Sequence, residues 1–197
     1  MVKFELYLEG NERQQTEARR AFSKLFDRLR LPGCNRPKIF VSGSRNDALR
    51  DYETALRQKN NSMLLIDSEA LIDNSFCKGD RCDWRAWDAV NKPNRSEHIR
   101  RPPHADDRDC HFFVTAMESW VLIALADQAP ASVEAILPKD LVARLSAILK
   151  RQGKDSYQKS HAFDLLADAD PAKIIAASPW AARFFDEVQA RGTHASA

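Results

Sequence analysis

The sequence predicts an α/β fold: a mostly parallel sheet flanked by helices, with a helical C-terminal portion. Three observations predict it. Strand-like and helix-like segments alternate through the first third of the chain, the order that right-handed crossovers turn into a parallel sheet. The run Met63-Leu64-Leu65-Ile66 is apolar without a break, as a central strand covered on both faces requires. From Met117 onward the apolar residues recur at helical spacing.

Each element follows from its own pattern. Val2, Phe4, Leu6 and Leu8 alternate with Lys3, Glu5 and Tyr7, a strand with one face buried, and Glu9-Gly10-Asn11 turns it. From about Glu12 to Leu31 the period changes, and Ala18, Phe22, Leu25, Phe26 and Leu29 form one helical stripe. Pro32-Gly33 stops it. A second strand spans Lys38 to Val41, Ser42-Gly43-Ser44 turns, and Ala48, Tyr52, Ala55 and Leu56 mark a second helix. Residues 71–109 carry no stable period and read as an inserted loop, with a short helix near Asp83 to Val90; a loop this long inside a domain is a functional or mobile one. His111 to Val114 reads as a fourth strand, and Met117, Trp120, Val121, Ala124 and Leu125 as the stripe of the next helix. Leu141, Val142, Leu145, Ile148 and Leu149 share a helix face that ends before Gly153. A further helix covers His161 to Ala167, and the last begins at Ser178-Pro179, a capping residue followed by proline at the first helical position.

The 197 residues are expected to form one domain: a β-α-β-α-β core over 1–70, the loop over 71–109, and a strand plus helices over 110–197. With 44% hydrophobic and 29% charged residues the chain is globular rather than disordered. No apolar run approaches the roughly 20 residues that cross a bilayer, and the first residues show no signal-peptide pattern, so a cytoplasmic protein with no membrane partner is expected. Four cysteines, Cys34, Cys77, Cys82 and Cys110, are then expected as free thiols. Cys77 and Cys82 with Cys110-His111 supply only one loose ligand pair, too few for a structural zinc site. Thirty basic against 28 acidic residues leave a formal charge of +2, so bulk charge does not announce a nucleic-acid binder, although local patches still serve one.

The chemistry is expected at the strand ends. Glu9 follows the first strand, and Asp67 and Glu69 follow the third. Ligand sites of open parallel sheets form outside the carboxyl ends of the strands. If the first and third strands are neighbours, three carboxylates converge on one crevice, with Asp67 and Glu69 on the same side by alternation. Such a cluster repels itself unless a cation joins it, and all-oxygen ligands point to Mg²⁺ or Mn²⁺. Alternatively, each acid merely ends a strand or caps a helix. Glu118 lies in an apolar stretch, so it is either buried and paired or solvated on a helix flank. Arg45, Asn46 and Asp47 lie at the same sheet edge: Arg45 is suited to a phosphate oxygen, and Asn46 or Asp47 to a helix cap. Lys154, Tyr157, Lys159 and His161 precede a helix, where a lysine can stabilise developing negative charge. Lys92, Arg95, Arg100 and Arg101 form a basic patch, with Asp106, Asp107 and Asp109 just after it, suited to a second cation or to pairing with those arginines.

Leu8-Glu9-Gly10 after one strand, with Leu65-Ile66-Asp67-Ser68-Glu69 after a later one, resembles the TOPRIM domain. More closely, the chain resembles the bacterial family of domains of unknown function 4276 (DUF4276). That likeness rests on Val2 to Gly10, Gly43 to Ala48, Leu64 to Ala70, Arg101 to Asp107, Met117-Glu118-Ser119-Trp120 and Ala177-Ser178-Pro179. The resemblance implies a TOPRIM-like, Rossmann-like fold related to the nuclease part of OLD-type proteins, which are encoded beside ABC-type ATPases in phage-defence systems. It implies a metal-dependent nuclease in which Glu9, Asp67 and Glu69 hold Mg²⁺ or Mn²⁺. Glu118 and Lys159 would complete the catalytic site, and Arg45, Arg100 and Arg101 would contact nucleic acid. Two departures stand out: Glu69 where many TOPRIM domains carry aspartate, and Arg13 where relatives supply a second-metal carboxylate, for which Glu12 is the available substitute. The alternative is a catalytically silent partner or sensor subunit of an ABC-type ATPase; a homodimer is compatible with either.

Overall fold

The structure, a computed structural model, describes residues 4–29, 35–69, 71–72, 102–106, 108–126 and 136–194. Among the described residues four strands form one all-parallel sheet: β1 (Glu5–Leu8), β2 (Lys38–Val41), β3 (Ser62–Asp67) and β4 (Cys110–Phe113), in the order β2-β1-β3-β4. The first and third strands are therefore neighbours, with Leu8 opposite Leu65, and β4 pairs onward with Asp67 opposite Phe113. β3 is central, and its first five residues are buried, which its unbroken apolar run required.

Helices α1 (Gln15–Arg28) and α2 (Arg45–Arg57) cross over from β1 to β2 and from β2 to β3; α3 (Glu118–Leu125), α4 (Pro138–Arg151), α5 (Ala162–Ala167), α6 (Pro171–Ala177) and α7 (Pro179–His194) make up the C-terminal portion. The two faces of the sheet carry separate cores. Leu6, Leu8, Met63, Leu65 and Phe113 pack with α1 and most of the C-terminal helices, around Phe22, Trp120 and Phe184. Tyr7, Leu64, Ile66 and Phe112 pack with Ala48 and Tyr52 of α2 and with Trp180. Alternation along β1 and β3 thus feeds both cores.

Caps match the sequence where side chains could announce them. Ser44 accepts from the Asp47 amide while Asp47 accepts from the Ser44 amide, a reciprocal capping box. Ser178 Oγ accepts from the Ala181 amide at 3.1 Å. Gly153, just past α4, has φ +72°, a backbone that favours glycine. α6 is a helix the sequence reading did not separate from its neighbours: Asp170 caps it and Pro171 starts it, only four residues after α5 ends.

The outer edge of β2 is closed by a side chain. Gln15 Oε1 accepts from the Val41 amide at 3.0 Å while its Nε2 donates to the Ile39 carbonyl at 2.8 Å, which Arg19 Nε also reaches at 3.2 Å. The glutamine amide offers β2 the donor and acceptor that a further strand would offer.

At the opposite end of the sheet from the strand C-termini, a buried ion network ties β4 to α7. Arg191 donates to Asp109 Oδ1 at 2.5 Å, to Glu187 at 2.6 Å and to Asn61 at 2.7 Å, while Tyr52 donates to Asp109 Oδ2 at 2.7 Å. Asp109, expected to hold a second cation or meet the 92–101 arginines, is instead buried against Arg191, and Asp106 pairs with its neighbour Arg108. Cys110 is a free thiol buried in β4. The helix expected near Asp83 to Val90, the patch of Lys92, Arg95, Arg100 and Arg101, and Cys34, Cys77, Cys82 and Asp107 lie outside the described residues. Among the described residues no helix is long and apolar enough to cross a membrane.

Candidate functional site

Because the sheet is all parallel, every strand delivers its C-terminus to one edge. Glu9 sits one residue beyond β1, and its Oε2 accepts from the backbone amide of Asp67, the last residue of β3, at 3.2 Å. Asp67 shares the face of Met63 and Leu65, and its Oδ1 accepts from the Met117 amide at 2.9 Å. That amide belongs to the residue before α3, so helix and strand end are stitched together at the acid. Glu118 follows as the first residue of α3; it is buried, and its Oε1 accepts from the Tyr157 hydroxyl at 3.0 Å.

The charges of these groups act on one another. Burial, then the negative charges of Glu9 and Glu118, push the Asp67 carboxyl well above the usual carboxylate range. The Met117 amide and the Lys159 ammonium oppose that rise. Burial and the Glu118 carboxylate hold the Tyr157 phenol above its ordinary range, so it stays a donor. Glu9 and Asp67 therefore meet at the C-terminal edge of β1 and β3, and Glu118 and Lys159 lie within electrostatic reach of Asp67.

Glu69 does not join them. Alternation was expected to carry it to the side of Asp67, but β3 ends at Asp67 and the backbone of Glu69 is left-handed, with φ +50°. Ser68 is buried, its Oγ accepting from the Thr115 amide at 2.7 Å, and the Glu69 amide donates to the Thr115 carbonyl at 2.9 Å. That twisted extension of the pairing turns the Glu69 carboxylate toward Arg45, 3.5 Å away at the start of α2, the helix packed on the other face. Arg45 is itself buried and reaches the Asp67 carbonyl at 3.4 Å. It lies at the expected edge, engaged with Glu69. Of its neighbours, Asp47 is the one that caps.

Lys154, Lys159 and His161 are exposed along the segment between α4 and α5, and Gln14, beside Arg13, donates to the Ser160 carbonyl at 2.9 Å. Arg100 and Arg101 lie outside the described residues, as does the side chain of Glu12. Sequence reasoning missed two contributors. Tyr157 was noted but given no role; its signal is that it is the one aromatic in the polar run from Arg151 to His161. The Met117 amide carries no sequence signal.

Glu9 and Asp67 offer oxygen donors only, the chemistry a hard dication prefers, and Asp67 is held at a cost that a cation would relieve. Each hydrogen bond named above takes one lone pair of a carboxylate that offers about four. Among the described residues no group of three or more acidic, histidine or cysteine side chains stands close enough together to hold a metal ion. The structure thus defines a parallel α/β domain with Glu9 and Asp67 joined at the C-terminal edge of its sheet. No family model, curated protein or solved structure matches this chain.

Proposed function

We propose that this protein is a Mg²⁺- or Mn²⁺-dependent phosphodiester hydrolase of TOPRIM-like type acting on nucleic acid. The observation that carries the reading is the hydrogen bond that joins Glu9 to Asp67 at the C-terminal edge of a parallel sheet, with Glu118 and Lys159 within electrostatic reach of Asp67. Three anions, one buried, cost folding free energy unless the arrangement serves a cation. The resemblance to DUF4276 supplies the nucleic-acid substrate and the setting of phage defence.

Glu9, Asp67 and Glu118 would hold the metal; Glu118 takes the place first given to Glu69. Bound there, a divalent cation polarises a phosphoryl oxygen and lowers the pKa of a coordinated water. The chain's own residues do the rest. Met117 and Tyr157 orient two of the carboxylates, and Lys159 stabilises the negative charge that gathers on the phosphoryl oxygens. Arg45, released from Glu69, is the second cation available at that edge.

Purified protein incubated with single- and double-stranded DNA and RNA in Mg²⁺ or Mn²⁺ is expected to cleave at least one of them, and Glu9→Gln or Asp67→Asn to abolish cleavage while leaving the fold intact. Full activity in either folded variant would overturn the reading. Mn²⁺ binding without cleavage would instead favour the silent subunit of an ABC-type ATPase.

A further inference from the structure

We propose that Tyr157 is a positioning residue of the acidic site, its hydroxyl holding Glu118 in place and pinning the Lys159-bearing segment beside it. The proposal rests on the reading of Glu9, Asp67 and Glu118 as metal-binding carboxylates.

The segment between α4 and α5 is polar and exposed on both sides of Tyr157, which is only 6% exposed. Burying one aromatic ring would anchor such a segment without any hydroxyl, and a phenylalanine would do it. A buried hydroxyl must find a partner, and here the partner is the Glu118 carboxylate at 3.0 Å. The Tyr157 amide also donates to Ser146 Oγ of α4 at 3.2 Å, and the Ser160 carbonyl accepts from Gln14 at 2.9 Å. The segment is thereby fixed from three sides: α3 through Glu118, α4 through Ser146, and the approach to α1 through Gln14. Lys159 lies between the last two anchors.

The hydroxyl is also a neutral donor: it fixes the Glu118 carboxylate without adding a cation that would compete with a metal. Partners that orient metal ligands in this way change metal affinity by about 10–100-fold when removed.

The test is Mn²⁺ titration of the wild-type chain and Tyr157→Phe by calorimetry at neutral pH, with thermal unfolding in EDTA alongside. Tyr157→Phe keeps the ring, and its affinity is expected to fall about 10–100-fold. A role confined to packing would move the melting temperature and leave the Mn²⁺ affinity of the folded protein where it was. Added to Glu118→Gln, the same substitution is expected to cause no further loss of affinity, and that pair decides the matter if the single variant proves too unstable. Equal affinity in folded Tyr157→Phe, with wild type binding normally, would overturn the positioning role alone. Failure of the wild type to bind Mn²⁺ would overturn the parent reading and this one with it.

Discussion

Asp67→Asn should stabilise the metal-free protein and remove its response to metal. Asparagine keeps the size of the side chain and the acceptor that the Met117 amide uses at 2.9 Å, so the change removes charge with little loss of packing. The Asp67 carboxyl is held well above its ordinary range, first by burial and then by Glu9 and Glu118. The folded state therefore keeps the Asp67 proton to higher pH than the unfolded state does. Stability from this group declines as pH rises from the ordinary carboxylate value through the folded-state one, with a limiting slope of about 1.4 kcal/mol per pH unit. In urea titrations from pH 4 to 8 in EDTA, the gap between Asp67→Asn and wild type should widen in favour of the variant as pH rises. Mn²⁺ should reverse the order. At ten times its dissociation constant a ligand adds RT ln 11, about 1.4 kcal/mol, or about 3–6 °C of melting temperature for a domain of this size. The variant should show a shift near zero. A less stable Asp67→Asn at pH 8 in EDTA, or equal protection by Mn²⁺, would refute the reasoning.

Three further outcomes follow from other parts of the molecule. His111 is buried, its Nε2 on the Arg108 carbonyl at 2.9 Å, and burial with the nearby Arg183 and Arg191 holds its pKa well below the ordinary 6.5. Only the unfolded chain takes up that proton as pH drops below 6.5, so stability falls by up to about 1.4 kcal/mol per unit there; His111→Leu should flatten this part of the urea-midpoint curve relative to wild type, and parallel curves would count against it. Arg191→Met leaves the Asp109 carboxylate buried without its cation and should cost about 3–5 kcal/mol in denaturant unfolding. Gln15→Ala removes both bonds to the β2 edge, should cost about 1–2 kcal/mol, and should make the chain self-associate with rising concentration in sedimentation runs. Gln15→Glu, which keeps the acceptor for Val41 and loses the donor to Ile39, should fall between the two.

The fold was legible because its cause is local and periodic. Alternation in Val2–Leu8, the unbroken run Met63–Ile66 and the stripe through Phe22 and Leu25 each state which surface must be buried; the crossover rule permits the first and third strands to be neighbours, and Leu8 opposite Leu65 shows that they are. Glu9 and Asp67 were legible for the same reason: a parallel sheet sends residues just past its strands to one edge. Glu69 failed because the rule that placed it, strict alternation, holds only while the backbone stays extended. The left-handed turns at Glu69 and Thr115 depend on Ser68 pairing with a strand more than forty residues away, which no local pattern encodes. Tyr157 was illegible for a related reason. Its ring announces burial, but its hydroxyl takes on meaning only when the helices of the C-terminal portion bring Glu118, thirty-nine residues earlier, within a hydrogen bond of it. Residues at strand ends follow from topology alone, whereas the groups that orient them, such as the Met117 amide and the Tyr157 hydroxyl, depend on tertiary packing.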